Sequence, residues 1–255
     1  MEALMAQSRI EMVSGHGGTQ IAVHRLGEGA PVVMIHGLAS SADINWLRYG
    51  HAARIAETGH EAVMLDLRAH GQSAAPHDPA AYPADVALLD IEAVLAALDL
   101  GPIDLVGYSL GSRLSVQLVA RGLKPQRLVL AGMGYETLTN WEARRDHFLV
   151  MLDRFDISKL GDADYLAIQF MKQTGVDPTA MKLLLRSTGD IADAMLDKVT
   201  METLVVAGTE DRDVGSPERL AERLANAQFQ SVSGNHMSCV TKQELGEAIA
   251  NYLAA

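Results

Sequence analysis

The chain has 255 residues, 48% of them hydrophobic, and its 32 acidic and 21 basic residues give a net charge of −11. This length favours one main domain with a large core, and the negative charge argues against nucleic acid and anionic lipid as partners. Apolar runs such as PVVMI are shorter than a membrane span, and the N-terminus MEALMAQSRIEMVSG lacks the features of a signal peptide, so a cytoplasmic protein is expected, of unknown oligomeric state.

Short β-rich runs alternate with helix-like segments along most of the chain. An N-terminal hairpin is expected around SGHGGT. The strand candidates that follow it are 31–37, 61–67, 102–109, 126–132, 203–208 and 227–233. The helix candidates are 41–57, 82–98, 110–121, 217–224 and 243–253. Apolar strands bounded by glycine and separated by amphipathic helices indicate an α/β fold, with a mostly parallel central sheet flanked by helices on both faces.

The alternation is interrupted once, between about residues 135 and 198. Helical patterns such as WEARRDHFLVMLDRF and ADYLAIQFMKQ follow one another there without a strand. We interpret residues 135–198 as a helical cap inserted into a core domain made of residues 1–134 and 199–255. The apolar residues of this insertion that could line a substrate pocket are Trp141, Phe148, Leu149, Phe170 and Met171.

The strand candidate at 102–109 ends in Gly-Tyr-Ser-Leu-Gly, and a helix pattern begins immediately after it. The chain must turn sharply there, which predicts a strained Ser109 with its hydroxyl exposed at the top of the sheet. Glycine at positions 107 and 111 removes β-carbons that would crowd the turn. The helix that begins at Leu110 directs free backbone N–H groups toward the same place. Ser109 is therefore the candidate nucleophile.

A serine hydroxyl needs a base to react near neutral pH. The chain has nine histidines, and His236 is the best candidate because it lies in a loop directly after the last strand candidate. A carboxylate should orient the imidazole, and the loop after the strand at 203–208 offers Glu210, Asp211 and Asp213. The residues alone do not choose among these three acids.

Five segments of the chain together resemble serine-dependent members of the α/β-hydrolase superfamily. They are VVMIHGLAS, VMLDLRAHGQS, DLVGYSLGS, LVVAGTEDRD and SGNHMS, and the order of serine, acid and histidine is that of the family. The resemblance implies that the acid is Asp211, three residues after Gly208, and that it is preferred to Asp213. It also implies an oxyanion hole formed by the backbone N–H groups of Leu38 and Leu110.

The other polar residues of these segments are expected to be structural. His36 is expected to brace the loop after its strand, and Asp66, Arg68 and His70 to form hydrogen bonds within theirs. HEAVM lacks the second histidine of a zinc protease and GMGYET lacks the third glycine of a dinucleotide site, so no metal and no cofactor are expected. The lone Cys239 excludes an intrachain disulfide and is interpreted as a buried apolar residue.

The resemblance implies an enzyme that hydrolyses a carboxylic ester of small to medium size through an acyl-enzyme intermediate. Its partner would be a small-molecule ester or a related acyl compound. The serine nucleophile argues against the related dehalogenases and epoxide hydrolases, which use aspartate. A C–C bond hydrolase, a thioesterase, an acyltransferase and a cofactor-free perhydrolase remain alternatives, because they use the same three side chains. The non-enzyme alternative is a small-molecule receptor on this fold.

Overall fold

The fold is described for residues 8–255 of a computed structural model. Within these residues, eight strands form one sheet in the order β1-β2-β4-β3-β5-β6-β7-β8. The strands are β1 (Arg9–Ser14), β2 (Gln20–Gly27), β3 (Ala30–Ile35), β4 (His60–Leu65), β5 (Asp104–Tyr108), β6 (Arg127–Ala131), β7 (Glu202–Gly208) and β8 (Ala227–Val232). β1 and β2 are antiparallel to their neighbours, and the other pairs are parallel. The absence of a signal peptide predicted from the N-terminus depends on residues 1–7, which lie outside the described residues.

Helices cover both faces of this sheet, as the sequence predicted. The flanking helices are α1 (His51–Glu57), α2 (Val86–Leu98), α3 (Leu110–Ala120), α8 (Pro217–Arg223) and α9 (Gln243–Ala254). Residues of α2, α3 and α8 belong to one apolar core, and residues of α1 and α9 to the other. The fold class predicted from the alternation of strands and helices is therefore confirmed.

The central strands are mostly apolar after their first one or two residues, because both of their faces are buried. In β3, Val33 and Ile35 belong to the core on one face, whereas Val32 and Met34 belong to the core on the other. Successive side chains of a strand point to opposite faces, so a strand with helices on both sides shows no alternation of polar and apolar residues.

Two helices differ from their predicted extent. The segment expected to be one helix at 41–57 contains a π-helical turn (Asp43–Leu47) and then α1, because Gly50 between them has a left-handed φ of 79°. The helix expected from residue 82 begins at Val86, after Asp85 with a φ of 58°. These departures are local turns that hydrophobic periodicity does not report.

The segment between β6 and β7 consists of helices, and we call residues 135–198 the insertion segment. It contains α4 (Tyr135–Thr139), α5 (Trp141–Asp153), α6 (Tyr165–Gln173), α7 (Pro178–Ser187) and a 3₁₀ helix (Asp193–Lys198). The division into a core of 1–134 and 199–255 and a cap of 135–198 stays a prediction. Among the described helices, none combines the length and apolar character needed to cross a membrane.

Candidate active site

Ser109 lies at the sharp turn between β5 and α3. Its φ of 53° and ψ of −110° are strained for a residue with a side chain. Its backbone N–H donates a hydrogen bond of 2.8 Å to the carbonyl oxygen of Ala131 in the neighbouring strand, which helps to hold this conformation. A β-carbon at Gly107 would lie 2.4 Å from the backbone of Gly111, and one at Gly111 would lie 2.0 Å from the Ile35 carbonyl oxygen. The turn therefore requires glycine at both positions.

His236 lies between the Ser109 hydroxyl and a carboxylate. Its Nε2 atom is 3.0 Å from Ser109 Oγ, and its Nδ1 atom is 2.8 Å from Asp211 Oδ2. An ionised carboxylate only accepts hydrogen bonds, so Nδ1–H donates to Asp211 and leaves Nε2 free to accept the serine proton. Asp211 is buried, whereas Glu210 and Asp213 are exposed. Of the three acids in this loop, the structure brings Asp211 to the imidazole.

Hydrogen bonds to backbone atoms hold the loop that carries His236 in place. The Glu210 N–H donates a 3.0 Å hydrogen bond to Gly234 O, which joins the acid loop to the histidine loop. The Asn235 side chain accepts two backbone N–H groups from the residues just after His236. Tyr108, next to the candidate nucleophile, donates its hydroxyl to the His236 carbonyl oxygen at 2.5 Å. Burial raises the pKa of Tyr108 well above its ordinary value, so this hydroxyl stays protonated and remains a donor.

Two backbone N–H groups near Ser109 have no hydrogen-bond acceptor among residues 8–255. Leu110 is the first residue of α3, and a helix supplies no acceptor for its first N–H groups. The N–H of Leu38 is likewise without an acceptor in the described part of the chain. Both residues line the same cavity as Ser109, and an added β-carbon on Gly37 would lie 3.3 Å from Ser109 Cβ. The pair is available to bind an oxyanion.

Two buried histidines hold the loop that contains Leu38. His36 Nε2 accepts the N–H of Leu67 at 2.9 Å, and His70 Nε2 accepts the N–H of Ala39 at 3.1 Å. Each ring then carries its proton on Nδ1 and donates it to a backbone carbonyl oxygen, that of Gly37 in the case of His36. Burial lowers the pKa of His36 and lowers that of His70 to about 3, so both rings are neutral acceptors near pH 7.

Asp66 and Arg68 belong to buried networks behind this loop. The Asp66 carboxylate accepts the N–H of Ala42 at 2.7 Å and that of Gln72 at 2.8 Å. Arg68 donates to both carboxylate oxygens of Asp90, at 2.8 and 2.7 Å, and both side chains are buried. These contacts tie the segment after β4 to its surroundings. They involve neither Ser109 nor His236.

A cavity of about 500 Å³ opens beside the Ser109 hydroxyl. The residues of the insertion segment expected to line a pocket were Trp141, Phe148, Leu149, Phe170 and Met171. All of these line the cavity except Leu149, which is half-buried in the larger apolar core. No group of three or more metal-ligating side chains is found within residues 8–255.

Comparisons with known proteins agree with this architecture. Residues 30–191 match the model of the family described as alpha/beta hydrolase fold. The chain belongs to the α/β-hydrolase fold family. N-formylmaleamate deformylase from Pseudomonas putida is 35% identical over 121 residues, which cover 46% of this chain and only 42% of that relative.

Solved structures of α/β hydrolases are similar over nearly the whole chain. A bromoperoxidase from Bacillus anthracis has 21% identity and a TM-score of 0.75, with 97% of this chain and 100% of that one covered. An esterase from Exiguobacterium antarcticum has 20% identity and a TM-score of 0.72, with 96% and 99% covered. At these identities the similarity establishes a common fold alone.

Two arginines of this α/β hydrolase also line the cavity, and sequence reasoning missed both. Arg113 extends from α3 toward the insertion segment, where its guanidinium donates to the carbonyl oxygens of Leu138 at 2.6 Å and Gly189 at 2.9 Å. It also packs 4.9 Å from the ring centre of Trp141. Burial lowers the pKa of Arg113 to about 10. Arg113 thus connects α3, the helix after Ser109, to residues near both ends of the insertion segment.

Arg144, on α5, is the second arginine. It lies three residues after Trp141 and four before Phe148, so the three residues share one face of the helix. This spacing is a signal that the sequence contains. The aromatic residues marked the face that lines the cavity, and the arginine at the intermediate position belongs to it.

Proposed function

We propose that the protein is a serine hydrolase that cleaves carboxylic esters through an acyl-enzyme intermediate, with Ser109, His236 and Asp211 as its catalytic triad. The observation that carries the proposal is the unbroken hydrogen-bond chain from the Asp211 carboxylate through the imidazole to the Ser109 hydroxyl, at 2.8 and 3.0 Å, beside a cavity. A chain of this kind is what converts a weak serine nucleophile into a reactive one.

In the first half of the reaction, His236 Nε2 takes the proton of the Ser109 hydroxyl while Oγ attacks the acyl carbonyl carbon. The carbonyl oxygen becomes an oxyanion, which the N–H groups of Leu38 and Leu110 stabilise. Each such donor contributes roughly 3–4 kcal/mol to the transition state. The Asp211 carboxylate holds the ring in orientation and stabilises the imidazolium that forms.

The tetrahedral intermediate then collapses, and the leaving alkoxide takes the proton from His236 and departs as an alcohol. Ser109 is left as an acyl ester. A water molecule gives its proton to His236 and attacks this ester, and collapse of the second intermediate releases the carboxylic acid and returns the proton to Ser109. Esters are favoured over amides because an alkoxide leaves more readily than an amine.

The size and character of the cavity support a small or medium substrate. About 500 Å³ accommodates a small organic molecule, and apolar residues of the insertion segment form much of the wall. In this proposal the insertion segment caps the site. The pocket residues Trp141, Phe148, Phe170 and Met171 contact the substrate.

Labelling with a fluorophosphonate tests the proposed nucleophile. We expect the wild-type protein and Ser231→Ala to be labelled and Ser109→Ala to remain unlabelled. Ser231 is a matched control because it is exposed on the edge strand β8 and does not line the cavity. A series of p-nitrophenyl esters of increasing acyl length then measures turnover. Folded protein that hydrolyses no ester of the series would contradict the esterase assignment.

The alternative activities are separated by their substrates. Matched ester, thioester and β-diketone compounds distinguish an esterase from a thioesterase and a C–C bond hydrolase. Added alcohol or hydrogen peroxide reveals acyl transfer or perhydrolysis, because each replaces water in the second half of the reaction. A receptor would bind its ligand and show negligible turnover of every compound. We expect the rate of ester hydrolysis to exceed the rates of thioester hydrolysis, C–C bond cleavage, acyl transfer and perhydrolysis.

A further inference from the structure

Arg144 is a cationic residue in the wall of the cavity that contains Ser109. Arg144 lines this cavity together with Phe148 of the same helix face, and the guanidinium carbon lies 5.6 Å from the centre of the Phe148 ring. One of its terminal nitrogens donates a 2.8 Å hydrogen bond to the backbone carbonyl oxygen of Asp213. A cationic side chain thus forms part of an otherwise largely apolar wall.

No carboxylate within residues 8–255 forms a salt bridge with this guanidinium. Its remaining N–H groups have no protein acceptor in the described chain and are not buried, so they are open to a ligand. Burial lowers the pKa of Arg144, although the nearby carboxylates of Asp213 and Asp211 partly oppose this effect. Arg144 is therefore a partly desolvated cation that lacks a directly bound counter-ion. Arginine presents its donors in a planar fork that matches a carboxylate.

Arg113 and His147, two other basic side chains of the cavity wall, lie close to carboxylates, whereas the carboxylate of Asp213 in the same wall forms no salt bridge within residues 8–255. Arg113 donates to backbone carbonyl oxygens and lies 3.3 Å from the Asp190 carboxylate. His147 lies 3.5 Å from the Asp164 carboxylate. The protein as a whole has a net charge of −11, which repels anions at long range. A bound anion would therefore need a local cation. Of the two arginines in the described wall, Arg144 is the one whose unpaired donors are not buried, because the unpaired Nε of Arg113 is buried.

We propose that Arg144 binds a carboxylate of the substrate, so that the preferred esters carry a negative charge apart from the ester group itself. This inference rests on the proposed ester hydrolysis and names its substrate class. Arg144 is then a specificity-determining residue. It selects anionic esters through a two-pronged hydrogen bond, while Ser109 and His236 perform the reaction.

Two pairs of substrates test this preference. In the first pair, mono-p-nitrophenyl glutarate carries a carboxylate on its acyl side and is compared with the neutral p-nitrophenyl pentanoate. In the second pair, 4-acetoxybenzoate carries a carboxylate on its alcohol side and is compared with the neutral methyl 4-acetoxybenzoate, and cleavage of the acetyl ester is measured in both. The readout is the ratio of kcat/KM for the anionic ester to that for its neutral partner. We expect Arg144→Gln to lower this ratio by about 10- to 100-fold in at least one pair, as for the loss of a charged hydrogen bond.

Two variants separate recognition from a structural role. Arg144→Lys keeps the charge but not the fork, and should restore part of the ratio. Arg145→Gln is the matched control, because Arg145 is adjacent on α5, pairs with Asp146 at 3.0 Å and does not line the cavity. It should leave the ratio unchanged. A purely structural Arg144 would instead lower the rates for both members of each pair equally, and that result would overturn the proposal.

A binding measurement decides the point even if no ester is hydrolysed. Isothermal titration with glutarate and adipate should show binding to the wild-type protein and to Arg145→Gln, and binding at least tenfold weaker to Arg144→Gln. Binding without turnover would refute the proposed function and retain the anion site. Equal affinity in all three proteins, or no binding of either dianion together with unchanged ester ratios, would overturn the anion site.

Discussion

Replacement of the Asp211 carboxylate by an amide is the most direct perturbation of the proposed mechanism. Both carboxylate oxygens accept hydrogen bonds, Oδ2 from His236 at 2.8 Å and Oδ1 from the N–H of Asp213 at 3.2 Å. The side chain is 0% exposed, so water cannot replace either contact. An amide has one oxygen and one NH₂ group and cannot accept both bonds.

Each orientation of the amide at position 211 has a cost. If its NH₂ group faces the imidazole, Nδ1 must accept, and the ring proton moves to Nε2, which can then no longer take the Ser109 proton. If its oxygen faces the imidazole, the NH₂ group meets the backbone N–H of Asp213. The first arrangement is the one that abolishes base catalysis. Loss of the correct tautomer lowers kcat by about 10⁴-fold in a triad, equivalent to roughly 5 kcal/mol.

The assay is kcat for a p-nitrophenyl ester that the wild-type protein hydrolyses, measured for Asp211→Asn and for the matched variant Glu210→Gln. The Glu210 side chain is exposed, forms no hydrogen bond or salt bridge within residues 8–255 and does not line the cavity, so we expect its variant to stay within about threefold of the wild type. Circular dichroism and urea unfolding verify that both variants are folded. Asp211→Asn with more than a tenth of the wild-type kcat, or equal losses in the two variants, would refute this assignment of the acid.

Three further expectations concern stability and are measured by urea unfolding. The pKa of about 3 for folded His70 is below the ordinary 6.5, so the stability that its neutral ring contributes is complete above pH 6.5 and is lost as the pH falls toward 3; His70→Gln should flatten this loss by up to about 1.4 kcal/mol per pH unit, and an unchanged slope would contradict the expectation. Gly111→Ala should cost about 3 kcal/mol or more, because its β-carbon would lie 2.0 Å from a carbonyl oxygen of β3, and unfolding at the wild-type midpoint would contradict this. Asp90→Asn should cost about 3–5 kcal/mol by leaving a buried arginine unpaired, whereas Glu92→Gln breaks only a surface pair and should cost less than about 1 kcal/mol.

The sequence predicted the sheet well because the pattern of its strands has a simple physical origin. A strand buried on both faces carries a continuous apolar run, and β3 to β7 each show such a run, which in β4 to β7 follows one or two polar residues. The turn at Ser109 could also be predicted from the sequence, because it requires glycine at positions 107 and 111. A β-carbon there would lie 2.4 or 2.0 Å from backbone atoms. These features depend on neighbours along the chain or on one adjacent strand.

Features that depend on contacts between residues distant in the chain could not be predicted from the sequence in the same way. The residues alone left the choice among Glu210, Asp211 and Asp213 open, because burial of one carboxylate against His236 is a property of the folded loops. The same holds for Arg144, which in the sequence is one of two adjacent arginines in a helix rich in charged residues. Its significance comes from the cavity beneath α5, and the helical spacing from Trp141 becomes informative only when that cavity is known.

The proposed site follows from the parallel arrangement of the strands. Parallel strands end at one edge of the sheet, so the loops after β3, β5, β7 and β8 meet there. β3 is paired with β5, which brings Leu38 beside Ser109, and β7 is paired with β8, which brings Asp211 beside His236. Backbone hydrogen bonds between these loops hold the reacting groups. Helices inserted after β6 supply Arg144 and the apolar wall, so a change there can alter the substrate while leaving the reacting groups in place.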